Sequence, residues 1–203
     1  MIKKILTVIF TLIFTFSINS IVEAKGKKEI ATVAGGCFWS MEAIFQRLKG
    51  VESVYPGFSG GIVQNPSYEE VCTGKTEHAE SIQITYDSDK ISYEKILEVF
   101  WKVHNPTTLN KQGADEGTQY RSVIFYHDKK QKEIAEKTKF EIEKSNFWGN
   151  NKVVTEIKPY IKFFKAESYH KDYYNKNFDN PYCKAVIEPK IKKLKFNFKN
   201  LLQ

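Results

Sequence analysis

Three cysteines occur in the 203 residues, and one of them, Cys37, has the setting of a nucleophile. It follows an alternating stretch and the pair Gly35-Gly36. It also opens a segment in which Phe38, Met41, Ile44, Phe45 and Leu48 recur at three-and-four spacing. A residue at the mouth of a helix meets free backbone N–H groups and the positive end of the macrodipole. Both favour a thiolate over a thiol, so a lowered thiol pKa is expected there. Phe38 and Trp39 follow directly, which suits a small apolar group better than a charged one. The same placement also fits a buried, inert cysteine, and position alone does not separate the two.

The other thiols read differently. Cys72, in Glu70-Val71-Cys72-Thr73, has nothing beside it in sequence that would activate it and reads as structural. Cys183 lies in the loop-like Asn180-Pro181-Tyr182-Cys183, where a mobile thiol could reach and resolve an oxidised cysteine, or be a spare exposed thiol. His78, His104, His127 and His170 show neither a CxxC partner nor an HxxxH spacing, so no metal site is expected. Gly57-Phe58-Ser59-Gly60-Gly61 lacks the strand–loop–helix setting of a nucleotide-binding loop.

These residues need elements to hold them. Alternation predicts strands at Glu29 to Ala34, Val51 to Tyr55, Ser81 to Tyr86, Ser122 to Tyr126 and Lys152 to Ile157. Helical spacing predicts helices from Cys37 to the stop at Gly50, from an N-cap at Ser92 through Val103, and over Asp128 to Lys144. Pro56 to Pro66 and Asn105 to Gln119 read as long loops, and after Phe164 the pattern weakens into loops and short helical pieces. Interspersed strands and helices give an α+β or α/β domain. No repeat or linker interrupts residues 25–203.

Apolar residues at 41% and charged residues at 27% are ordinary globular values and exclude a disordered chain. The net charge of +7 is spread widely, and its densest run, Lys190, Lys192, Lys193, Lys195 and Lys199, reads as a solvated terminal helix or tail. No nucleic-acid partner is expected from it. At the other end, Lys3 and Lys4 precede the uncharged stretch Ile5 to Phe16, and Val22-Glu23-Ala24 supplies small residues where a signal peptidase reads. Residues 1–24 are therefore expected to be a signal peptide. The expected protein is exported and periplasmic, with no stable membrane association once the signal is cleaved. Outside the cytosol an odd number of thiols leaves at least one free or transiently paired.

Several segments together resemble one family. Gly36-Cys37-Phe38-Trp39 with Glu42 is similar to the signature of the A-type peptide-methionine sulfoxide reductases. Pro56 to Gly61, Asn65-Pro66-Ser67-Tyr68, His78-Ala79-Glu80, Gln112 to Asp115, Gly117 to Ser122 and Tyr169 to Tyr173 follow in the family's order, over roughly Ile30 to Lys190. Phe58 and Ala114 depart from it, standing where Tyr and Asn are common. The resemblance implies a two-layer α+β sandwich with a ferredoxin-like core, a mixed sheet flanked by helices and long loops. It implies no metal or bound cofactor, and reduction of methionine (S)-sulfoxide, free or in proteins, at the expense of a thioredoxin-like dithiol. By carry-over Cys37 is the nucleophile and Glu80 the acid. Tyr68, Tyr120 and Asp115 surround the sulfoxide oxygen, Phe38 and Trp39 hold the methyl group, and Cys183 resolves a Cys37 sulfenic acid as a Cys37–Cys183 disulfide.

The chemistry wants these residue types. A sulfoxide oxygen leaves only when protonated or strongly hydrogen-bonded, and a carboxylic acid kept neutral in an apolar pocket supplies the proton. Tyrosines donate hydrogen bonds without becoming charged. Two rivals predict other behaviour. A cysteine hydrolase using Cys37 with His78 or His170 would cleave esters or amides without thiols. A binding module acting through the lysine-rich end would be salt-sensitive and indifferent to Cys37.

Overall fold

A computed structural model describes residues 27–203, so the expected signal segment 1–24 lies outside the described residues. In chain order the strands and α-helices are β1 (Lys28–Gly35), α1 (Phe38–Phe45), β2 (Val51–Ser59), α2 (Tyr68–Cys72), β3 (Ala79–Asp87), α3 (Tyr93–Val103), β4 (Lys111–Gln112), β5 (Asp115–Glu116), β6 (Ser122–Tyr126), α4 (Lys129–Lys144), β7 (Glu156–Pro159), β8 (Phe163–Lys165), α5 (Tyr173–Lys176) and α6 (Glu188–Asn197). The main sheet runs β7-β6-β1-β3-β2-β8. Only the β6–β7 pair is parallel. The succession β1-α1-β2-β3-α3-β6, with spatial order β6-β1-β3-β2, is the ferredoxin-like arrangement expected from the resemblance.

Local chemistry sets the elements. Ser92 caps α3 by accepting from Lys95 N at 3.1 Å, and Asp128 caps α4 by accepting from Gln131 N at 2.8 Å. Ser67 and Glu70 form a reciprocal capping box on α2. As predicted, Ile96, Leu97, Phe100 and Val103 of α3 are buried, in one core with Val33, Ile44, Phe45, Ile82 and Ile84. Helix α1 stops earlier than its apolar face, because Arg47 N and Leu48 N donate back three residues and tighten the last turn.

Several expectations need correction. Residues 56–59, read as loop, belong to β2 and lie between β3 and β8. Pro56 is tolerated there because its carbonyl accepts from Ala166 N at 3.0 Å, on the β8 side. Its missing N–H therefore falls at the end of that short edge partner and not on β3. Strand β8, three residues long, has no counterpart among the expected strands. The strand expected at Lys152 to Ile157 pairs only from Glu156, since the preceding residues are tied to the loop through Val154 N and Pro106 O at 2.8 Å. The late segment is not a solvated tail. Ile191, Leu194 and Phe198 are buried, and Lys49 N donates to Leu201 O at 2.7 Å.

One glycine decides how the 105–121 loop approaches Cys37. Gly36 has φ +87°, and a Cβ there would fall 2.5 Å from Gln112 Cγ. Gln112 is buried and clamps the loop through Asn105 N and Asn105 O, both at 3.0 Å. Gly36→Ala is therefore expected to lower unfolding stability by about 1–3 kcal/mol, from left-handed strain plus the clash. Urea denaturation of the variant and the wild type checks this.

Candidate active site

Cys37 is the N-cap residue of α1 and is 4% exposed. The end of β1 delivers it, the neighbouring strand β3 delivers Glu80, and the two meet at the helix mouth. Glu80 is buried and accepts the Phe38 backbone N–H at 3.0 Å. Burial, reinforced by the nearby Asp115 carboxylate, pushes the Glu80 carboxyl up to about 8, against the opposing pull of that hydrogen bond. Phe58, directly opposite Glu80 in the β2–β3 register and fully buried, adds no hydroxyl that would solvate the charged form.

The expectation of a lowered Cys37 pKa is overturned. Burial, followed by the charge of Glu80, pushes the thiol up to about 12, although the Tyr182 hydroxyl and the Ser40 backbone favour the thiolate. The helix-terminal donor at Phe38 serves the Glu80 carboxyl instead of the sulfur. At neutral pH Cys37 is thus held as the protonated thiol.

The remaining predicted residues converge on this pair. Tyr120 feels the charges of Glu80, Cys37 and Asp115, and Tyr68 those of Glu80 and Tyr120. Burial holds both phenols well above their usual range, so they remain hydrogen-bond donors at any working pH. Asp115 arrives on the β4–β5 hairpin, whose turn uses Gly113 at φ +65°. Its carboxylate accepts from the Tyr182 hydroxyl at 2.8 Å. Phe38 lies in the core, with its ring centroid 6.0 Å from Tyr68 and 5.8 Å from Phe58. Trp39, half-buried, stacks on Tyr173 at 3.7 Å and donates its indole N–H to His170 Nδ1 at 3.0 Å. Glu42 faces the other way. It accepts from Lys171 Nζ at 2.7 Å and Asp172 N at 2.8 Å, which pins the late segment onto α1.

Cys183 departs from its sequence reading. It is not a mobile loop thiol; it opens a π-helical turn, Cys183–Ile187, and is fully buried with Ala43, Ile187 and Ile191. Its thiol is free, as are those of Cys37 and Cys72. Cys72 also differs from expectation. It is exposed, and its sulfur shares a hydrogen bond with the Tyr68 hydroxyl. Sequence reasoning missed Tyr182, whose hydroxyl touches both the Cys37 sulfur and Asp115; nothing in its local spacing marks it.

The hydrolase rival loses its bases. Both ring nitrogens of His78 are engaged, one by Gly61 N at 3.1 Å and one with Val63 O at 2.8 Å. His170 Nδ1 is taken by Trp39. Among the described residues no group of three His, Cys, Asp or Glu is placed to hold a metal, and no helix is long and apolar enough to cross a membrane.

A family model for peptide methionine sulfoxide reductase matches residues 29–202. The chain belongs to the peptide methionine sulfoxide reductase family. It is 58% identical over 165 residues to the peptide methionine sulfoxide reductase MsrA of Saccharolobus solfataricus, covering 81% of this chain and 92% of that protein. With the enzyme of the same name from Sulfolobus acidocaldarius it shares 54% over 170 residues, or 84% and 95% of the two chains. Reduced Mxr1 from Saccharomyces cerevisiae superimposes with TM-score 0.70 at 34% identity, covering 77% of this chain and 90% of that one. Methionine sulfoxide reductase A of Corynebacterium diphtheriae gives 0.68 at 32%, with 74% and 75% covered. As a member of the family the chain is an oxidoreductase that reduces methionine sulfoxide with thiol equivalents.

Proton donation needs Glu80 neutral, so methionine formation in a single turnover should fall as pH rises through about 8. Glu80→Gln should remove that limb while slowing the step at every pH, read by quenched-flow chromatography. The same raised value means that whatever stability Glu80's proton contributes is complete below the unfolded carboxyl range and is lost as pH rises through about 8. Tyr182→Phe deletes a hydroxyl that favours Cys37 ionisation and should slow the same single turnover by about 10- to 100-fold.

Proposed function

We propose that the enzyme reduces methionine (S)-sulfoxide, free and in oxidised proteins, at Cys37, and so repairs oxidised proteins. The observation carrying this reading is the convergence of a buried thiol, a carboxyl held neutral to about 8, and phenols that stay protonated, all beside aromatic rings. Glu80 protonates the sulfoxide oxygen while the Cys37 sulfur attacks the sulfoxide sulfur and gives up its own proton. Tyr68 and Tyr120 hold the oxygen as charge moves onto it, and Asp115 orients Tyr182 toward the sulfur. Phe38 and Trp39 form the apolar wall for the methyl group. Oxygen then passes from the substrate sulfur to the Cys37 sulfur as the transient sulfur–sulfur bond and the old sulfur–oxygen bond break, the Cys37 proton returns to Glu80, and one thiol plus one sulfoxide become one sulfenic acid plus one thioether.

Cys183 then attacks the sulfenic acid, water leaves, and a Cys37–Cys183 disulfide forms. An external dithiol of the thioredoxin type reduces that disulfide and is itself oxidised. No bound cofactor enters the cycle. Residues 1–24 act as a signal peptide that directs residues 25–203 to the periplasm. The run Lys3-Lys4, the apolar stretch after it and Val22-Glu23-Ala24 support this reading.

The deciding experiment incubates residues 25–203 with each separated sulfoxide epimer and dithiothreitol and quantifies methionine. Product from the S epimer alone is expected; product from neither removes the assignment. Cys37→Ser should abolish the reaction. Cys183→Ser should complete one turnover and then stall as a sulfenic acid when thioredoxin is the reductant. Equal multiple-turnover rates for Cys183→Ser and wild type would refute the resolving role.

A further inference from the structure

Two buried polar atoms beside the aromatic pocket have no hydrogen-bond partner among the described residues, Glu167 Oε2 and His170 Nε2. They lie 3.7 Å apart. The single turn Ser168–His170 brings them together. His170 N donates to Glu167 O at 3.0 Å, and in such a tight turn residues three apart fall on one side. The other polar atom of each side chain is in use. Glu167 Oε1 accepts from Tyr68 N at 3.0 Å, and His170 Nδ1 accepts from the Trp39 indole N–H at 3.0 Å. Three contacts thus run from Tyr68 through Glu167 and His170 to Trp39.

We propose that Glu167 is a positioning residue of the site: one carboxylate oxygen holds the His170 proton on Nε2, which leaves Nδ1 bare to fix the Trp39 indole, while the other oxygen anchors Tyr68. This rests on the reading of Trp39 as the methyl wall and of Tyr68 as the oxygen donor. The direction of the chain is set at its Trp39 end. An indole N–H only donates, so Nδ1 accepts, and a neutral imidazole then carries its proton on Nε2. Burial pushes the His170 ring below its ordinary value, against the pull of Glu167 and Glu69, so the ring is neutral at neutral pH. At 3.7 Å the Nε2–H and the carboxylate attract as dipole and charge, at a longer range than a direct hydrogen bond.

Around the ring stand Phe38, Tyr68 and Tyr169, with centroids at 5.0, 4.5 and 4.1 Å. The neighbouring cation, Lys171, is committed to Glu42 Oε1 and Val54 O, both at 2.7 Å. The carboxylate of Glu167 is therefore the group that selects the tautomer. Glu167 touches no substrate atom and acts through His170 and Tyr68.

The test compares wild type with Glu167→Gln, Glu167→Ala and His170→Phe, each first checked for a native thermal transition. A glutamine that still accepts from Tyr68 N turns its NH2 toward Nε2, which favours the proton on Nδ1 and sets two donors against each other at Trp39. Long-range nitrogen–proton correlation on nitrogen-15 histidine tells a protonated ring nitrogen from a bare one, and His170 is the signal lost in His170→Phe. The proton should sit on Nε2 in wild type and leave it in Glu167→Gln. With methionine (S)-sulfoxide and dithiothreitol, Glu167→Gln should raise KM about tenfold with little change in kcat. Glu167→Ala, which also releases Tyr68, should lower kcat as well. In a His170→Phe background Glu167→Gln should add nothing to KM, because the acceptor it governs is gone. A proton on Nδ1 in wild type overturns the proposal without any variant. An unchanged tautomer in Glu167→Gln, or KM effects that simply add in the double variant, also overturns it. A tautomer that depends on Glu167 in a protein forming no methionine from either epimer would leave the positioning role standing and remove the reductase reading.

Discussion

The hydrogen bond from the Phe38 N–H to the Glu80 carboxyl, at 3.0 Å, organises the reacting centre. It fixes the start of α1 onto β3 and sets the acid beside the thiol. It opposes, without overcoming, the burial that keeps the carboxyl protonated. A helix terminus contributes roughly 0.3–1 kcal/mol to a nearby charge, whereas complete burial of an ionisable group can shift it by several pKa units. Desolvation therefore wins at Cys37, all the more because the nearest donor is already committed to Glu80. Below about pH 8 burial thus leaves a thiol and a carboxyl side by side, both protonated.

That arrangement needs a scaffold in two parts. The ferredoxin-like core supplies the fixed pair, since β1 and β3 are hydrogen-bonded neighbours and α1 starts from the end of β1. The other residues gathered round this pair come from connections outside the core. Tyr68 sits on the short, boxed helix α2, which is anchored from the late segment by Tyr68 N donating to Glu167 Oε1 at 3.0 Å. Asp115 and Tyr120 ride on the loop that Gln112 clamps over Gly36. His170 and Tyr173 hold Trp39 from a segment that Lys171 and Asp172 tie to Glu42. Rigid strands place the chemistry, and loops held at several points shape what may enter.

Much of this could be read from residue order. The caps at Ser92 and Asp128, the buried face of α3 and the alternation of β1, β3 and β6 are local signals, and local signals survive in the fold. Pro56 to Ser59 were misread because Pro and Gly are loop markers on average, and only pairing with β3 on one side and β8 on the other makes an extended conformation worthwhile there. The motif segments led to Cys37, Glu80, Tyr68, Tyr120 and Asp115, but the ionisation of Cys37 was misjudged. The macrodipole is visible from position in the chain; the depth of burial and the destination of the Phe38 N–H are not. Tyr182 was illegible for the same reason. It sits more than 140 residues from Cys37 in sequence, within a stretch that reads as a surface loop.

The placement of Tyr182 bears on how a disulfide could form. Its hydroxyl lies on the Cys37 sulfur, and the very next residue, Cys183, points into a separate cluster with Ala43, Ile187 and Ile191. A disulfide requires the two Cβ atoms to approach within roughly 3.5–4.5 Å. Consecutive helical side chains diverge by about 100°, so Tyr182 and Cys183 cannot both face Cys37 in one backbone arrangement. Exchanging them means rotating the chain at this point, which withdraws the phenol as the thiol comes in. The π-helical turn over Cys183–Ile187 is a suitable place, because such a turn carries one residue more than an α-turn. The same rotation removes the Tyr182 hydroxyl from Asp115. If Cys183 resolves the sulfenic acid as proposed, reduction and resolution call on alternative faces of one short turn, and the first arrangement must be left to complete the second.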